Sequence, residues 1–139
     1  TRRSLNKEKR EGQAMCYMII TNNPEVERYI KRKKKQFIVS KRNGTVKEVV
    51  METRRLLMEG WSLVCDPLGG RKERANPYLT VVVGRNGTLE SIPCDVLRVE
   101  QLLDIYYRNR SYLEGLSERQ RIDYSAIDCS LTCGALDKL

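Results

Sequence analysis

Short apolar runs alternate with amphipathic helical segments along most of this chain. The continuous apolar runs are typical of strands that are buried on both faces. Segments with apolar side chains at helical spacing lie between or after them. This alternation predicts an α/β fold with three layers, in which helices cover both faces of a mainly parallel sheet of four or five strands. The predicted strands are 16–21, 36–39, 61–65 and 79–83, and the predicted helices are 24–34, 46–57 and about 95–109.

Capping residues mark where helices begin. Asn23 stands before Pro24, which is the order expected of a helix N-cap followed by the first helical residue. Thr45 and Glu48 have the spacing of a capping box, so a second helix should open at Val46. A similar Ser-x-x-Gln pattern at 117–120 predicts a last helix over about 119–128.

The sequence does not determine the direction of the fourth strand in the sheet. No helix separates the third and fourth strands, so the fourth strand either runs antiparallel at an edge or rejoins in parallel after a long loop. Asn86-Gly87 is a hairpin signal, and it predicts a short fifth strand over 88–92. We therefore expect four strands, with a fifth if this hairpin forms.

The chain divides into three parts by composition. Residues 1–14 are charged throughout and carry only one large apolar residue, which predicts a flexible basic lead. Residues 15–110 hold the alternating pattern and form the α/β domain. Residues 111–139 are expected to form a C-terminal helical extension.

Composition excludes several kinds of catalytic site. The chain of 139 residues contains no histidine, which removes Ser-His-Asp, Cys-His and His-metal chemistry. No nucleotide-binding fingerprint is present, so no cofactor is expected. The sequence favours a protein that is not an enzyme.

The cysteines point to a reducing compartment rather than to a site. Their number is odd, and no Cys-x-x-Cys pair occurs. We interpret them as structural or incidental thiols, with a metal or redox site as the alternative. No apolar stretch is long enough to span a bilayer, and the charged N-terminus does not resemble a secretory signal, so we expect a cytoplasmic protein. The cysteines are Cys16, Cys65, Cys94, Cys129 and Cys133.

Two loops are candidates for a ligand site. In open α/β sheets, ligands bind outside the carboxyl ends of the strands, and one loop there begins a helix whose N–H groups could hold an anion. The second loop is rich in glycine and leads into basic residues. The alternative is purely structural, with Asn23 as a helix cap and the glycines in a tight turn. The candidate ligand-binding residues are Thr21, Asn22, Asn23, Asp66, Pro67, Leu68, Gly69, Gly70, Asn76 and Tyr78.

The formal net charge of +8 suggests a second kind of partner. A basic run at the end of the first helix could contact the phosphates of a nucleic acid. Cations at a helix C-terminus also complement its dipole, which is the structural alternative. A tyrosine group at 106, 107 and 112 is expected in the core or in a homodimer interface. The candidate nucleic-acid residues are Lys31, Arg32, Lys33, Lys34, Lys35, Lys41 and Arg42.

The candidate loops also carry a family resemblance. In order and spacing, the segments 19–24, 66–70 and 76–78 resemble the GrdX family, small proteins encoded beside the glycine, sarcosine and betaine reductase genes of amino-acid-fermenting anaerobes. The resemblance extends over about 15–109 and leaves the first 14 and the last 30 or so residues outside. The matching positions are Thr21, Asn22, Asn23, Pro24, Pro67, Leu68, Gly70, Pro77 and Tyr78.

The resemblance implies a role but no activity. It implies a cytosolic accessory protein of a selenium-dependent reductase system, with reductase components as possible partners. This chain has Asp66 where the family usually has the histidine of a His-Pro-Leu segment, so any role of that histidine falls to a carboxylate or is lost. We therefore expect a non-catalytic accessory or regulatory protein that binds a small anionic ligand or a protein partner at the strand-end loops. A nucleic-acid-binding regulator is the alternative.

Overall fold

The computed structural model describes residues 16–67, 75–85 and 92–139. Several sequence-based expectations lie outside these residues. They are the basic lead at 1–14, the candidate ligand residues Leu68, Gly69 and Gly70, the hairpin at 86–87, and the fifth strand as far as residue 91.

Four strands and five helices make up the described fold. Helices and strands alternate at first, and the last three elements are all helical. In chain order the elements are β1 (Cys16–Thr21), α1 (Pro24–Lys33), β2 (Ile38–Lys41), α2 (Val46–Met58), β3 (Ser62–Leu63), β4 (Thr80–Arg85), α3 (Ile92–Arg108), α4 (Arg110–Glu114) and α5 (Glu118–Leu136).

The sheet is mixed, so the expectation of a mainly parallel sheet was wrong. The strand order is β2-β1-β4-β3, with β1 parallel to β2 and β4 antiparallel to both of its neighbours. Strand β4 follows β3 directly in the order of described elements, and an antiparallel return needs no helical crossover. Strand β4 also lies inside the sheet rather than at an edge. Strands β1, β2 and β3 therefore point the same way, and their carboxyl ends meet the beginning of β4.

The element bounds differ from the predicted ones at several ends. Strand β2 lies two residues later than predicted, and β3 keeps only two of the five residues of its predicted strand. Helix α3 begins earlier, and α5 continues eight residues beyond the predicted end. Within 61–65, Ser62 and Leu63 pair with β4, and the N–H of Val64 donates to the carbonyl of Val82 at 3.0 Å. Trp61 is buried by packing outside the strand, and hydrophobicity alone cannot distinguish this burial from sheet pairing.

The capping residues act as the sequence predicts. Thr45 and Glu48 form a capping box at α2, and Ser117 and Gln120 form one at α5. The side chain of Asn23 caps α1. These bonds satisfy N–H groups that have no partner inside the helix, so they fix where the three helices begin.

Neighbouring residues of β1 and β4 belong to two hydrophobic clusters, as expected when successive side chains alternate between the faces of a sheet. Ile19 and Val82 pack with residues of α1 and α5. Ile20, Val81 and Val83 pack with residues of α2, α3 and α4. The partners from α1 and α5 are Val26, Ile30 and Leu136, and those from the other helices include Val49, Val50, Leu57, Val99, Leu102 and Leu113.

Candidate binding site at the carboxyl edge of the sheet

The candidate loops meet at one edge of the sheet. Thr21 ends β1, Thr80 begins β4, and the two residues are directly paired in the sheet register. Asp66 and Pro67 follow shortly after β3, which points the same way as β1. The mixed sheet therefore still brings the ends of β1 and β3 to a common edge.

The side chain of Asn22 joins three segments at this edge. Its Nδ2 donates to the carbonyl oxygens of Gly44 at 3.1 Å and Pro77 at 3.0 Å. Its Oδ1 accepts the backbone N–H of Leu79 at 2.9 Å. Gly44 adopts a φ of 120°, which only glycine reaches without strain, so the turn presents its carbonyl to Asn22. Both amide protons of Asn22 are used, and its role is to hold the edge together.

Asn23 is fully buried and uses its whole amide in the same way. Its Oδ1 accepts the backbone N–H of Glu25 at 3.1 Å and the hydroxyl of Ser125 at 2.7 Å. Its Nδ2 donates to the Ser125 carbonyl at 2.9 Å and to Oδ2 of Asp128 at 3.0 Å. The residue thus caps α1 and anchors α5 to it. A ligand could reach this amide only by displacing these partners.

A relay of hydroxyl groups connects β1, β4 and α5. Thr80 donates to Oδ2 of Asp128 at 2.8 Å. Since this uses the only proton of the Thr80 hydroxyl, Thr21 is the donor in the 2.8 Å contact between the two threonine hydroxyls. Thr21 in turn accepts the N–H of Asn23 at 3.0 Å. The buried carboxylate of Asp128 is thereby held by donors from two different segments.

Asn76 and Tyr78 support the segment that leads into β4. Nδ2 of Asn76 donates to the carbonyl of Tyr124 at 3.1 Å, and its Oδ1 accepts the N–H of Tyr78 at 2.8 Å. The hydroxyl groups of Tyr112 and Tyr124 are 2.8 Å apart. Asn76 is thus a structural bridge to α5. The Tyr78 side chain is half-buried and borders a cleft described below.

Asp66 is the most exposed of the described candidate ligand-binding residues. Its side chain is 50% exposed and lies 3.9 Å from the guanidinium of Arg98. With Pro67 it borders a cleft of about 80 Å³ between the end of β3 and α5. The other lining residues include Cys65, Thr80, Asp128, Leu131 and Thr132. The described lining therefore combines two carboxylates and two hydroxyls with apolar walls.

Pro67 also borders a second cleft, of about 40 Å³, at the same edge of the sheet. Asn76 and Tyr78 line it, together with apolar residues of the larger cluster such as Leu102 and Tyr106. Pro67 therefore borders both clefts, whereas Asp66 borders only the cleft of about 80 Å³. Of the described candidate ligand-binding residues in this region, Asp66 is exposed and Pro67 and Tyr78 are half-buried.

The seven basic candidates do not form one free cationic surface. Ion pairs link Lys31 and Lys41 to Glu27, Lys34 to Asp137, and Arg42 to Glu52. The remaining three, Arg32, Lys33 and Lys35, are exposed and form no ion pair with any described residue. Among these seven residues, the three that no described carboxylate pairs with lie at the end of α1 or just after it.

The surroundings of two half-buried thiols, Cys65 and Cys129, favour their neutral form. Burial raises the pKa of Cys129 to about 11, with Cys133 adding to the rise. Burial also raises the pKa of Cys65. Because the thiolate is the nucleophile and the metal ligand, these shifts disfavour both roles near neutral pH. Within the described ranges, no group of three or more Cys, Asp or Glu side chains is arranged to hold a metal ion.

The sequence did not reveal the half of this network that comes from α5. Ser125, Asp128 and Thr132 are buried polar residues, and Thr132 donates to the carbonyl of Asp128 at 2.8 Å. Their spacing of three and four residues puts them on one face of a helix, which was the available signal. The predicted helix ended at 128, so this polar face was not recognised.

One protein-family model matches most of the chain. The model of the GrdX-like protein family matches residues 18–137. The chain belongs to the GrdX-like family. The match confirms the resemblance and extends it beyond 109, through α5 and its buried polar face. Searches of curated proteins and of solved structures found no match. Among the described helices, none combines the length and apolarity needed to cross a membrane.

Proposed function

We propose that this GrdX-like chain is a non-catalytic accessory protein of a glycine, sarcosine or betaine reductase system in the cytoplasm. It acts by binding a partner protein or a small ligand at the carboxyl edge of the sheet. Family membership supports the connection with glycine reductase systems. The placement of Pro67 beside two clefts, and of the exposed Asp66 beside one of them, supports the location of the binding surface.

The single observation that supports this location is a difference in exposure at one edge of the sheet. Some polar side chains there are buried and hydrogen-bonded within the chain, whereas one, that of Asp66, is exposed to solvent. Asn22 and Asn23 use their amides to hold β1, β4 and α5 together. Asp66 stands at the same edge and is half exposed. A rigid edge with a few accessible groups suits recognition, because little conformational entropy is lost on binding.

The described lining also bears on the chemistry of a ligand. Asp66 and Asp128 border the larger cleft, so this wall offers hydrogen-bond acceptors and negative charge. A ligand bound against it would present donors, as the protonated amine of an amino acid does. Recognition of an anion would depend on Arg71, Lys72 and Arg74, which follow Pro67 in the sequence and lie outside the described residues. A zwitterionic ligand or a protein surface of mixed charge suits both features.

Nucleic-acid binding has less support as the primary function. Four of the seven basic candidates are engaged with carboxylates. The aromatic residues that would stack on bases make up only 6% of the chain, with one Phe, one Trp and seven Tyr.

Surface plasmon resonance with immobilised, purified glycine reductase components tests the proposal. We expect saturable binding that persists at high salt and weakens in Asp66→Asn. The matched control is Asp104→Asn, because Asp104 is also exposed and also lies near an arginine, Arg108, but on α3. Equal binding by both variants would contradict a role for Asp66, and no binding by the wild type would contradict the proposed partner. Titration with glycine, sarcosine and betaine tests the small-ligand form in the same way.

A further inference from the structure

Strand β2 forms one outer edge of the described sheet. Its one partner in the described sheet is β1, with Met18 opposite Ile38 and Thr21 opposite Lys41. No strand within 16–67, 75–85 or 92–139 lies beyond it. An edge strand of this kind offers a row of backbone groups on which another strand can form.

The direction of these backbone groups follows from the pairing with β1. The N–H of Arg42 donates to the carbonyl of Thr21 at 2.8 Å. In a parallel pair, alternate residues bond to the partner strand, and those between them point their backbone groups away from it. Because Arg42 bonds to β1, the alternate residues Ser40 and Ile38 bond to β1 as well. The N–H and C=O groups of Val39 and Lys41 face the open edge.

The side chains at this edge fit a partner of particular chemistry. Ile38 is 49% exposed and supplies an apolar contact. Arg32, Lys33 and Lys35, the three basic candidates that form no ion pair with a described residue, lie three to six positions before the strand. A segment that adds to β2 would therefore meet backbone groups that have no strand partner among the described residues, an isoleucine and positive charge.

We propose that the open edge of β2 binds an extended, acidic segment of a partner protein, which adds to the sheet as a further strand. The backbone groups of Val39 and Lys41 supply the strand pairing, as in other β-strand additions. The basic residues at the end of α1 supply the preference for acidic sequence. This surface is separate from the clefts at Asp66, so the inference stands apart from the proposed function.

Two other occupants fit this edge less well. A second copy of the chain would offer its own segment 35–42, which carries three basic residues and no acidic one, and like charges at a strand edge oppose pairing. A nucleic acid would match the charge, but its phosphates would not complete the alternating N–H and C=O pattern of a strand. The acidic segment is the partner that uses all three features.

A synthetic peptide of alternating glutamate and valine, with its lysine–valine counterpart as control, provides the test. We expect the acidic peptide to bind the full chain, as measured by fluorescence anisotropy, and the basic peptide not to bind. Hydrogen exchange should show new protection of the Val39 and Lys41 amides when the acidic peptide is bound. This protection reports strand pairing, which charge attraction alone would not produce.

Two matched variants test the charge and the edge. The double change Lys33→Glu and Lys35→Glu should weaken peptide binding about tenfold at low salt, because both charges change sign. Arg108→Glu with Arg119→Glu alters the net charge equally at exposed sites on α3 and α5, and it should leave binding within about twofold. Ile38→Ser should weaken binding, while Ile122→Ser, at an isoleucine 58% exposed on α5, should not.

Several outcomes would overturn the proposal. Peptide binding without protection of Val39 and Lys41 would show a charge-driven contact and no added strand. Binding of a short DNA or RNA oligonucleotide, but not of the peptide, would assign the basic residues to nucleic acid. A concentration-dependent dimer whose interface protects the same two amides would assign the edge to a second copy. Equal loss of binding in both charge variants would show that the effect is one of net charge.

Discussion

Nδ2 of Asn23 donates a hydrogen bond to Oδ2 of Asp128 at 3.0 Å, across 105 positions of sequence. Both side chains are buried, and Asp128 also accepts from Thr80. The N-cap of α1 is thus connected directly to the middle of α5. This contact fixes the edge at which we place the binding surface.

Removal of the Asn23 amide should destabilise the whole fold. Asn23→Ala removes the cap of α1 and leaves polar partners on α5 unsatisfied, which together should lower the free energy of unfolding by about 2–4 kcal/mol. Thr45→Ala removes an exposed cap with no long-range partner and should cost about 1 kcal/mol. Urea unfolding measures both values. Equal losses would show that the contacts of Asn23 with α5 contribute little.

The Asn23–Asp128 contact should also appear as an energetic coupling. Asn23→Asp places a second carboxylate beside Asp128, and like charges at this distance disfavour the folded state. Adding Asp128→Asn removes one of the two charges and should restore part of the lost stability. We expect a coupling of at least about 1 kcal/mol in a double-mutant cycle. Additive effects of the two changes would contradict the contact.

The two capping boxes should respond differently to acid. Hydrogen bonds from Thr45 hold the pKa of Glu48 below its ordinary value. The stabilisation by Glu48 is therefore present above that ordinary pKa and is lost as the pH falls through the lower pKa of the folded state. The box at α5 has Gln120 in this position, which does not titrate.

Matched substitutions at the two boxes test this difference. Glu48→Gln should flatten the fall in stability below about pH 5, and Gln120→Glu should make it steeper. Thermal unfolding between about pH 3 and pH 7 measures both. Identical pH profiles for the wild type and Glu48→Gln would contradict the capping role of the carboxylate.

Cys129 should make the fold sensitive to alkali. Burial, Cys133, Glu25 and Asp128 raise the pKa of this thiol from its ordinary 9.0 to about 11. Its contribution to stability is complete below the ordinary pKa and is lost as the pH rises toward the folded-state value, because only the unfolded chain ionises readily in between. Cys129→Ala should therefore reduce the loss of stability between about pH 9 and pH 11. Cys94→Ala, at an exposed thiol, is the control and should leave this loss unchanged.

Local patterns predicted the elements more reliably than the sheet. The capping boxes at Thr45 and Ser117 are local in sequence, and both are present in the structure. The direction of β4 depends on which strand it meets after residues 64–79, and apolar runs carry no information about that choice. The same holds for Asn23, whose cap was visible in the sequence, whereas its partners Ser125 and Asp128 are 102 and 105 positions away.

The candidate site could likewise be predicted only in part from the sequence. The family match confirms the resemblance of 19–24, 66–70 and 76–78 to the GrdX family, and the structure places 21–23, 66–67 and 76–78 near one edge of the sheet. The chemistry of the individual residues could not be predicted, because it depends on burial. Asn22 and Asn23 have all their amide protons engaged within the chain, while Asp66 remains half exposed.

Reductase activity in a glycine-fermenting host that lacks this gene is the most direct test of the proposed accessory role. Complementation with the wild-type chain should restore glycine, sarcosine or betaine reductase activity in cell extracts, whereas Asp66→Asn should restore less at equal protein level and equal melting temperature. Asp104→Asn should restore as much as the wild type. Unchanged reductase activity after deletion of the gene would contradict the account.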